Sequence, residues 1–578
     1  MPDETYDAVI VGGGNKALAT AMWLARYGGL SVGIFERRHE IGGGWASEEN
    51  AAPGFISNTH AQMIFLWMHW TAAWRDFPEF EDYGCKVDMH VINNSGIFLD
   101  SGKCLGIYSV KHDPTQERTA REIARFSERD AERWLQGWEL RELILKQAAM
   151  GMNTPPAMMG EAQGQLILSL IAAVQEKGIE IQQEPILGVY SALRGAKETF
   201  ESKEMQCIMV RQALSGGQDV TLTGGGVGGG LGGIFQAAIL PYMCFQVGGT
   251  HQVAHAAHKI LLAEGAKIWT HCEVEKVIIE NGTATGIQLT DGTQIGARKL
   301  VVSTLNPQQL CFDLIGREHI SDQIIRRIDN IESSHTTIGW YNWALHEAPK
   351  YTAAEFNPDI NEAFWLGLHQ VTDPDTIAKE TYWRRTGRMA PFEYLNPVVW
   401  CHSRVDPRYA PEGKHLASHE NFMPPATALT EREWLELKEQ HAKDMISLWQ
   451  TFAPNMTWEN VIGCDSGTPY DCCRLKNMGP NGNWAVIDVV PHQSGAFRPI
   501  PELADHRTPI KNLYATGAAW GTAGAGVGEG YRCYKVIAED LDLGKPWLEP
   551  GKEEPDSLYE QVVIREKRLQ EQATRSSS

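Results

Sequence analysis

The chain has 578 residues, a formal net charge of −20 and 43% hydrophobic residues. The length implies more than one domain with an ample core, and the apolar share excludes a disordered chain. The acidic balance argues against nucleic acid as a partner and against attachment to anionic lipid by charge alone.

Residues 6–11 form an apolar run of strand length. The segment Gly12-Gly13-Gly14-Asn15-Lys16-Ala17 follows at once, and residues 18–26 have the composition of a helix. Strand, glycine turn and helix in that order form the opening of a dinucleotide site. Gly12 allows the tight turn, Gly14 admits a pyrophosphate, and Ala17 keeps the helix close to the strand. The helix N-terminus offers N–H groups and partial positive charge to phosphates. A second strand over 30–35 ends at Glu36, a carboxylate placed for a ribose hydroxyl pair.

Residues 41–45 make a second glycine turn, Gly42-Gly43-Gly44 before Trp45, expected near the same ligand. The aromatic stretch 60–74, with Phe65, Trp67, Trp70 and Trp74, suits a core or a pocket wall. Residues 119–150 read as one helix and 163–178 as another, ended by Gly178. The glycine-rich segment 215–233 lies in a window, Val220 to Ala263, without any Asp or Glu. It therefore lacks the ribose acid of a second nucleotide motif. It reads as an apolar loop touching substrate or a membrane surface.

Gly248-Gly249-Thr250 opens a helix with His251, His255 and His258 on one face; the Glu of H-E-x-x-H is absent, and no metal is expected. Strands are expected over 267–279 and 300–303, with hairpin turns at Asn281-Gly282 and Asp291-Gly292. Trp340, Trp343, Trp365, Trp383 and Trp400 suit a large apolar pocket or a second core, and 431–452 reads as a long helix closed by Pro454. Residues 512–519 run from a strand into small residues. A glycine-rich turn over 524–530 then precedes a helix over 531–541. Residues 546–578 read as a peripheral helix with a frayed end.

The 11 cysteines are irregularly spaced without a C-x-x-C pair, which reads as reduced thiols. Asp3, Glu4 and Asp7 stand where a signal peptide would be positive, and no 18-residue purely apolar run occurs. The expectation is a cytoplasmic protein without a transmembrane helix, with peripheral membrane contact through the apolar segment 222–240.

Three blocks resemble the phytoene desaturase-like branch of the flavin-dependent amine oxidase superfamily. That branch includes carotenoid desaturases and isomerases, retinol saturases and pyridine nucleotide-disulfide oxidoreductase domain-containing proteins. The first block is 6–55, with Glu36-Arg37-Arg38 and Pro53-Gly54-Phe55. The second runs from Gly248-Gly249-Thr250 to Asn306-Pro307, including Glu273 to Val277. The third holds Thr468-Pro469-Tyr470-Asp471, Gln493, Arg498-Pro499 and 508–536. They cover a little under half of the chain, in the family's order.

The resemblance implies an α/β fold: an FAD-binding Rossmann-like domain of discontinuous segments with an inserted α+β substrate domain. The boundaries expected are 1–75, 241–315 and 461–545 for the cofactor domain, 76–240 and 316–460 for the substrate domain, and 546–578 as a C-terminal extension. The implied cofactor is FAD rather than NAD. Its pyrophosphate is assigned to Gly12 and Gly14, its ribose to Glu36 beside Arg37, and its adenine to the Val274 backbone. The flavin end is assigned to Gly43, Gly44, Gly517, Gly526 and Val527. The sequence departs from the family where Gly44 and Trp45 replace an arginine after the second turn, and where Ala518 and Ala519 replace an acid after Gly517.

The implied chemistry is dehydrogenation of a CH–CH unit in a hydrophobic substrate, with a saturase, a double-bond isomerase or a non-catalytic binding module as alternatives. No G-x-S-x-G elbow is present. The catalytic candidates are His60, which follows the second glycine turn, and Glu529, beside the C-terminal glycine turn. The electron acceptor is left open among oxygen, a quinone and another protein, and homo-oligomerisation is also left open.

Overall fold

The computed structural model describes residues 4–62, 70–178, 189–223, 233–335, 337–521 and 526–577. Two seven-stranded sheets organise them. The first is built around β1 (Glu4–Val11), followed by α1 (Asn15–Arg26) and β2 (Val32–Phe35). β1 pairs in parallel with β2 on one side and with Gln294–Ser303 on the other. Lys267–Trp269 extends the sheet beyond β2, and Leu513–Ala515 extends it beyond Gln294–Ser303, again in parallel. Residues separated by hundreds of positions thus share one sheet.

A parallel strand is buried on both faces and therefore needs an unbroken apolar run. Ala8 and Ile10 face a core that includes α1, whereas Val9 and Val11 face a second core with Val277, Ile287 and Leu310. An antiparallel meander, Val274–Glu280 and Thr283–Leu289, lies on that second side. Its hairpin turns at Asn281 (φ 49°) and Gly282 (φ 74°), two left-handed residues that match strand twist.

The second sheet runs in the order Val461–Gly467, Ile338–Leu345, His415–Phe422, Val398–Trp400, Leu366–His369, Ile92–Phe98, Lys103–Tyr108. The strand Val461–Gly467, which opens the third expected cofactor segment, therefore hydrogen-bonds along Ile338–Leu345 here. Trp343 lies in a core on one side of this sheet. Trp340, Trp365 and Trp400 join the core shared with α1, and the last two stack with centroids 5.5 Å apart.

Several expected elements differ in detail. The helix expected over 119–150 is three helices, Glu117–Ala124, Glu128–Glu139 and Arg141–Asn153. Ser127 starts the second of them by accepting a hydrogen bond from the Asp130 N–H, a capping signal that charge periodicity hides. The helix expected from 531 begins at Gly528, so Glu529 sits in its first turn. The C-terminal helix Asp556–Ser577 docks rather than trails: Leu558, Val562 and Leu569 are buried in the main core, and Arg565 pairs with Glu81 at 3.1 Å. All 11 cysteines are free, most of them buried.

One described helix, Pro156–Glu176, is long and apolar enough to cross a membrane by length and composition, with mean hydropathy 1.3 and 6% of that stretch buried. It breaks at Gly160 (φ 40°, ψ −136°). The remaining ~24 Å, at 1.5 Å per residue, falls short of a hydrocarbon core of about 30 Å. Phe65, Trp67 and residues 224–232 of the glycine-rich segment lie outside the described residues.

Candidate cofactor cleft

A cleft opens where β1, β2 and Gln294–Ser303 end. Gly12, Gly14, Glu36, Arg37, Gly43, Gly44, Val274 and Gly517 all line it. The two glycine turns lie against each other, with the Gly42 N–H donating to the Gly13 carbonyl at 2.8 Å. Each glycine is required for a different reason. A Cβ on Gly12 (φ 91°) would stand 2.5 Å from Thr304 Oγ1, so this position is dictated by the neighbouring strand end. A Cβ on Gly14 would meet no protein atom within 4 Å; it would project into the cleft. Helix α1 starts at Gly14 without a side-chain cap and without an acidic residue in its first turn. That arrangement favours an anion.

Glu36 is pre-set. Its Oε2 accepts from the Gly13 N–H at 2.7 Å and its Oε1 from the Arg38 N–H at 2.8 Å. A carboxylate held by two backbone donors retains further lone pairs for hydroxyl donors. The cleft continues past Val274 and Glu275 on one side and Lys476 and Asn477 on the other. Thr304, Gln309, Lys476 and Asn477 are lining residues that sequence reasoning missed. The signal for Gln309 was Asn306-Pro307: Asn306 Oδ1 accepts from the Gln309 N–H at 2.8 Å and turns the chain after the strand.

The remaining expected residues lie behind this lining. Ala17 and Val527 are buried in the main core. Trp45 is 1% exposed, and its ring packs 5.2 Å from Trp70 within that core rather than in the cleft. The indole replaces cleft surface with packing because Gly43 (φ 55°) turns the backbone inward ahead of it. The Gly526 carbonyl accepts from Lys16 Nζ at 2.5 Å.

His60 sits beneath Gly44, where a Cβ would be 3.1 Å from His60 Cδ2. Its ring meets Trp340 edge-on at 4.6 Å. Burial, with repulsion from Lys476 added, pulls its pKa down to about 3, so the ring is neutral at physiological pH. Its Nδ1 has no hydrogen-bond partner among the described residues.

Glu529 is buried and pairs with Lys16 Nζ at 3.0 Å, tying α1 to the last helix of the domain. Burial pushes its carboxyl up, but the Lys16 and Arg532 charges outweigh this and hold it below its ordinary value. Burial, with the Arg532 charge added, lowers the Lys16 ammonium more than Glu529 raises it. Arg498, also buried, donates to the carbonyls of Ala485, Ile487, Asp488, Gln493 and Gly521, folding the loop that borders this cluster. The carboxylate of Glu529 thus balances Lys16, Arg498 and Arg532.

Glu529→Gln should cost about 3–5 kcal/mol of stability, because it strands buried positive charge. Adding Lys16→Met should recover much of the loss in a double-mutant cycle read by denaturant unfolding. A purely catalytic Glu529 would instead lose turnover with stability unchanged.

This geometry is that of a Rossmann-type fold with a cleft at the ends of its parallel strands. A family model described as an NAD(P)-binding Rossmann-like domain matches residues 10–79. The chain is 26% identical to a limonene dehydrogenase subunit of Castellaniella defragrans, over 97% of this chain and 98% of that protein. It is 24% identical to pyridine nucleotide-disulfide oxidoreductase domain-containing protein 2 of Rattus norvegicus, over 93% and 94% of the two chains. It is also 24% identical to a neurosporene-forming phytoene desaturase of Cereibacter sphaeroides, over 49% and 51%.

Among solved structures, a putrescine oxidase variant matches with a TM-score of 0.56 at 12% identity, covering 93% of this chain and 99% of that one. An oxidoreductase from Methanosarcina mazei matches with a TM-score of 0.55 at 16% identity, covering 92% and 99%. The fold is that of these solved oxidases and oxidoreductases, and the chain is an oxidoreductase similar along its length to the dehydrogenase and oxidoreductase relatives.

Proposed function

We propose that the chain holds FAD in this cleft and dehydrogenates a CH–CH unit of a hydrophobic substrate. The observation that carries the reading is the continuous cleft from the pre-set Glu36 carboxylate, past the open backbone at Gly14, to Gly43, Gly44 and Gly517. Its length of exposed backbone suits a dinucleotide, and the relatives that match along the chain include a dehydrogenase component. A bound flavin supplies two-electron acceptance from a C–H bond.

The chain's own residues do the rest. Glu36 accepts ribose hydroxyls, and the α1 N-terminus faces the phosphates. Beyond Gly44, neutral His60 and Trp340 form an aromatic wall that keeps water away from the reacting carbons. A neutral imidazole there adds no charge that would repel an apolar substrate. The residues assigned to catalysis act by enclosure and positioning: His60 at the wall, Glu529 through Lys16 and the helix start. The test is anaerobic bleaching of the bound flavin by a saturated hydrophobic compound, with an alkene as product.

A hydrophobic substrate also favours peripheral membrane contact. Helix Pro156–Glu176 supports this with exposed Ile167, Leu168 and Ile171, an apolar face that suits the interface plane. The full chain should co-sediment with zwitterionic phosphatidylcholine vesicles, and Leu168→Glu with Ile171→Glu should return it to the supernatant. Wild-type protein wholly in the supernatant would remove the membrane reading.

A further inference from the structure

Away from the cleft, three ligand-type side chains converge where the linker into the second sheet meets the loop held by Arg498. His335 Nδ1 lies 3.6 Å from Glu332 Oε2 and 3.5 Å from Asp488 Oδ2. The three ligand atoms all lie within 4.8 Å of one another. The surroundings fix each of them. Asp488 is fully buried, with Oδ1 accepting from Asn483 Nδ2 at 2.7 Å and the carboxylate accepting from the His335 N–H. Gln493 clamps the Glu332 backbone from both sides, its Oε1 accepting at 2.7 Å and its Nε2 donating at 3.0 Å. His492 Nε2 reaches the other Glu332 oxygen at 3.1 Å. Arg384 donates to the His335 carbonyl.

A simple ion pair does not account for this spacing. An imidazolium beside two carboxylates closes to one of them at about 2.7–2.9 Å. Here Nδ1 stands nearly equidistant from both, buried and without a hydrogen-bond partner among the described residues. Ligand atoms at about 2.0–2.1 Å from a tetrahedral metal lie about 3.3–3.4 Å apart, close to the two separations that His335 Nδ1 makes with the carboxylates. We propose that Glu332, His335 and Asp488 bind a divalent transition-metal ion of the zinc class. The imidazole disfavours Mg²⁺ and Ca²⁺, and the two carboxylates neutralise the ion's charge.

The ion would staple the linker between Asp322–Asp329 and Ile338–Leu345 to the loop around Asp488. That loop's Asp488 carbonyl is also held by Arg498 Nη1 at 2.8 Å. His492 would orient Glu332 as an outer partner. The sequence did not announce this site, because Asp488 stands 153 positions from His335.

The test uses Zn²⁺ alone. The full chain, purified without metal resin and stripped with chelator, is titrated with Zn²⁺ by calorimetry and metal analysis. Wild type should bind one equivalent more than Glu332→Gln and Asp488→Asn, or bind it at least about a hundredfold more tightly. Zn²⁺ should also raise the melting temperature of wild type but not of the variants. Glu332 is 41% exposed, so its glutamine variant keeps the fold even where Asp488→Asn does not. Equal Zn²⁺ uptake by wild type and Glu332→Gln, with no difference in melting temperature, would overturn the proposal.

Discussion

Gly14→Val should yield a folded protein without flavin. The position has ordinary backbone angles, φ −71° and ψ 173°, and its Cβ would touch no protein atom within 4 Å. The folded chain therefore loses only the N-cap preference of glycine over valine, about 1 kcal/mol. The cleft loses the space through which a pyrophosphate approaches the helix N-terminus. Flavin content should fall at least about tenfold, as a single steric block against a well-placed phosphate is worth more than 1.4 kcal/mol. Gly12→Val should do the opposite: the left-handed φ and the 2.5 Å approach to Thr304 Oγ1 strain the fold itself. Flavin release and thermal melting of the two variants separate these effects. Full flavin content in Gly14→Val would contradict the placement of the phosphates.

The protein should unfold on mild acidification. Burial pulls His60, His369 and His506 down to about 3, and His402 and His441 to about 4. Burial also holds His90 and His419 well below the ordinary value. The folded pKa values are depressed. The stability each neutral histidine contributes is therefore fully present above the unfolded pKa of about 6.5 and is lost as pH falls toward the folded values.

Each such histidine steepens the loss by about 1.4 kcal/mol per pH unit once the unfolded chain is protonated. Together they approach about 10 kcal/mol per pH unit, against a total stability of about 5–15 kcal/mol. Melting temperature should fall steeply below pH ~6, and the native state should be gone near pH ~4.5. A cooperative transition that persists unchanged at pH ~4 would show that these rings ionise freely in the fold.

Much of this architecture was legible in the chain. The first 45 residues declared themselves, because a strand, a glycine turn and a helix must occur in that order to open a cleft. The helix 431–452 and the turn at Asn281-Gly282 were equally plain, since capping and left-handed residues act locally. What escaped depends on distant partners. The inward packing of Trp45 is completed by Trp70, which precedes the helix Thr71–Asp76. The pairing of Glu529 with Lys16 crosses most of the chain. The docking of 556–577 rests on three apolar side chains in a charged helix, and the membership of Val461–Gly467 in the second sheet is set by Ile338–Leu345. Local patterns carry none of those facts.

The proposed function requires redox chemistry on a flavin held between Glu36 and Gly517. The most direct measurement is an anaerobic absorbance spectrum of the purified full-length protein, before and after adding a saturated hydrophobic compound. Oxidised-flavin bands that bleach, with an alkene formed, are the result expected. A protein that carries no flavin and takes up no added FAD would contradict the proposed function and leave a binding module in its place.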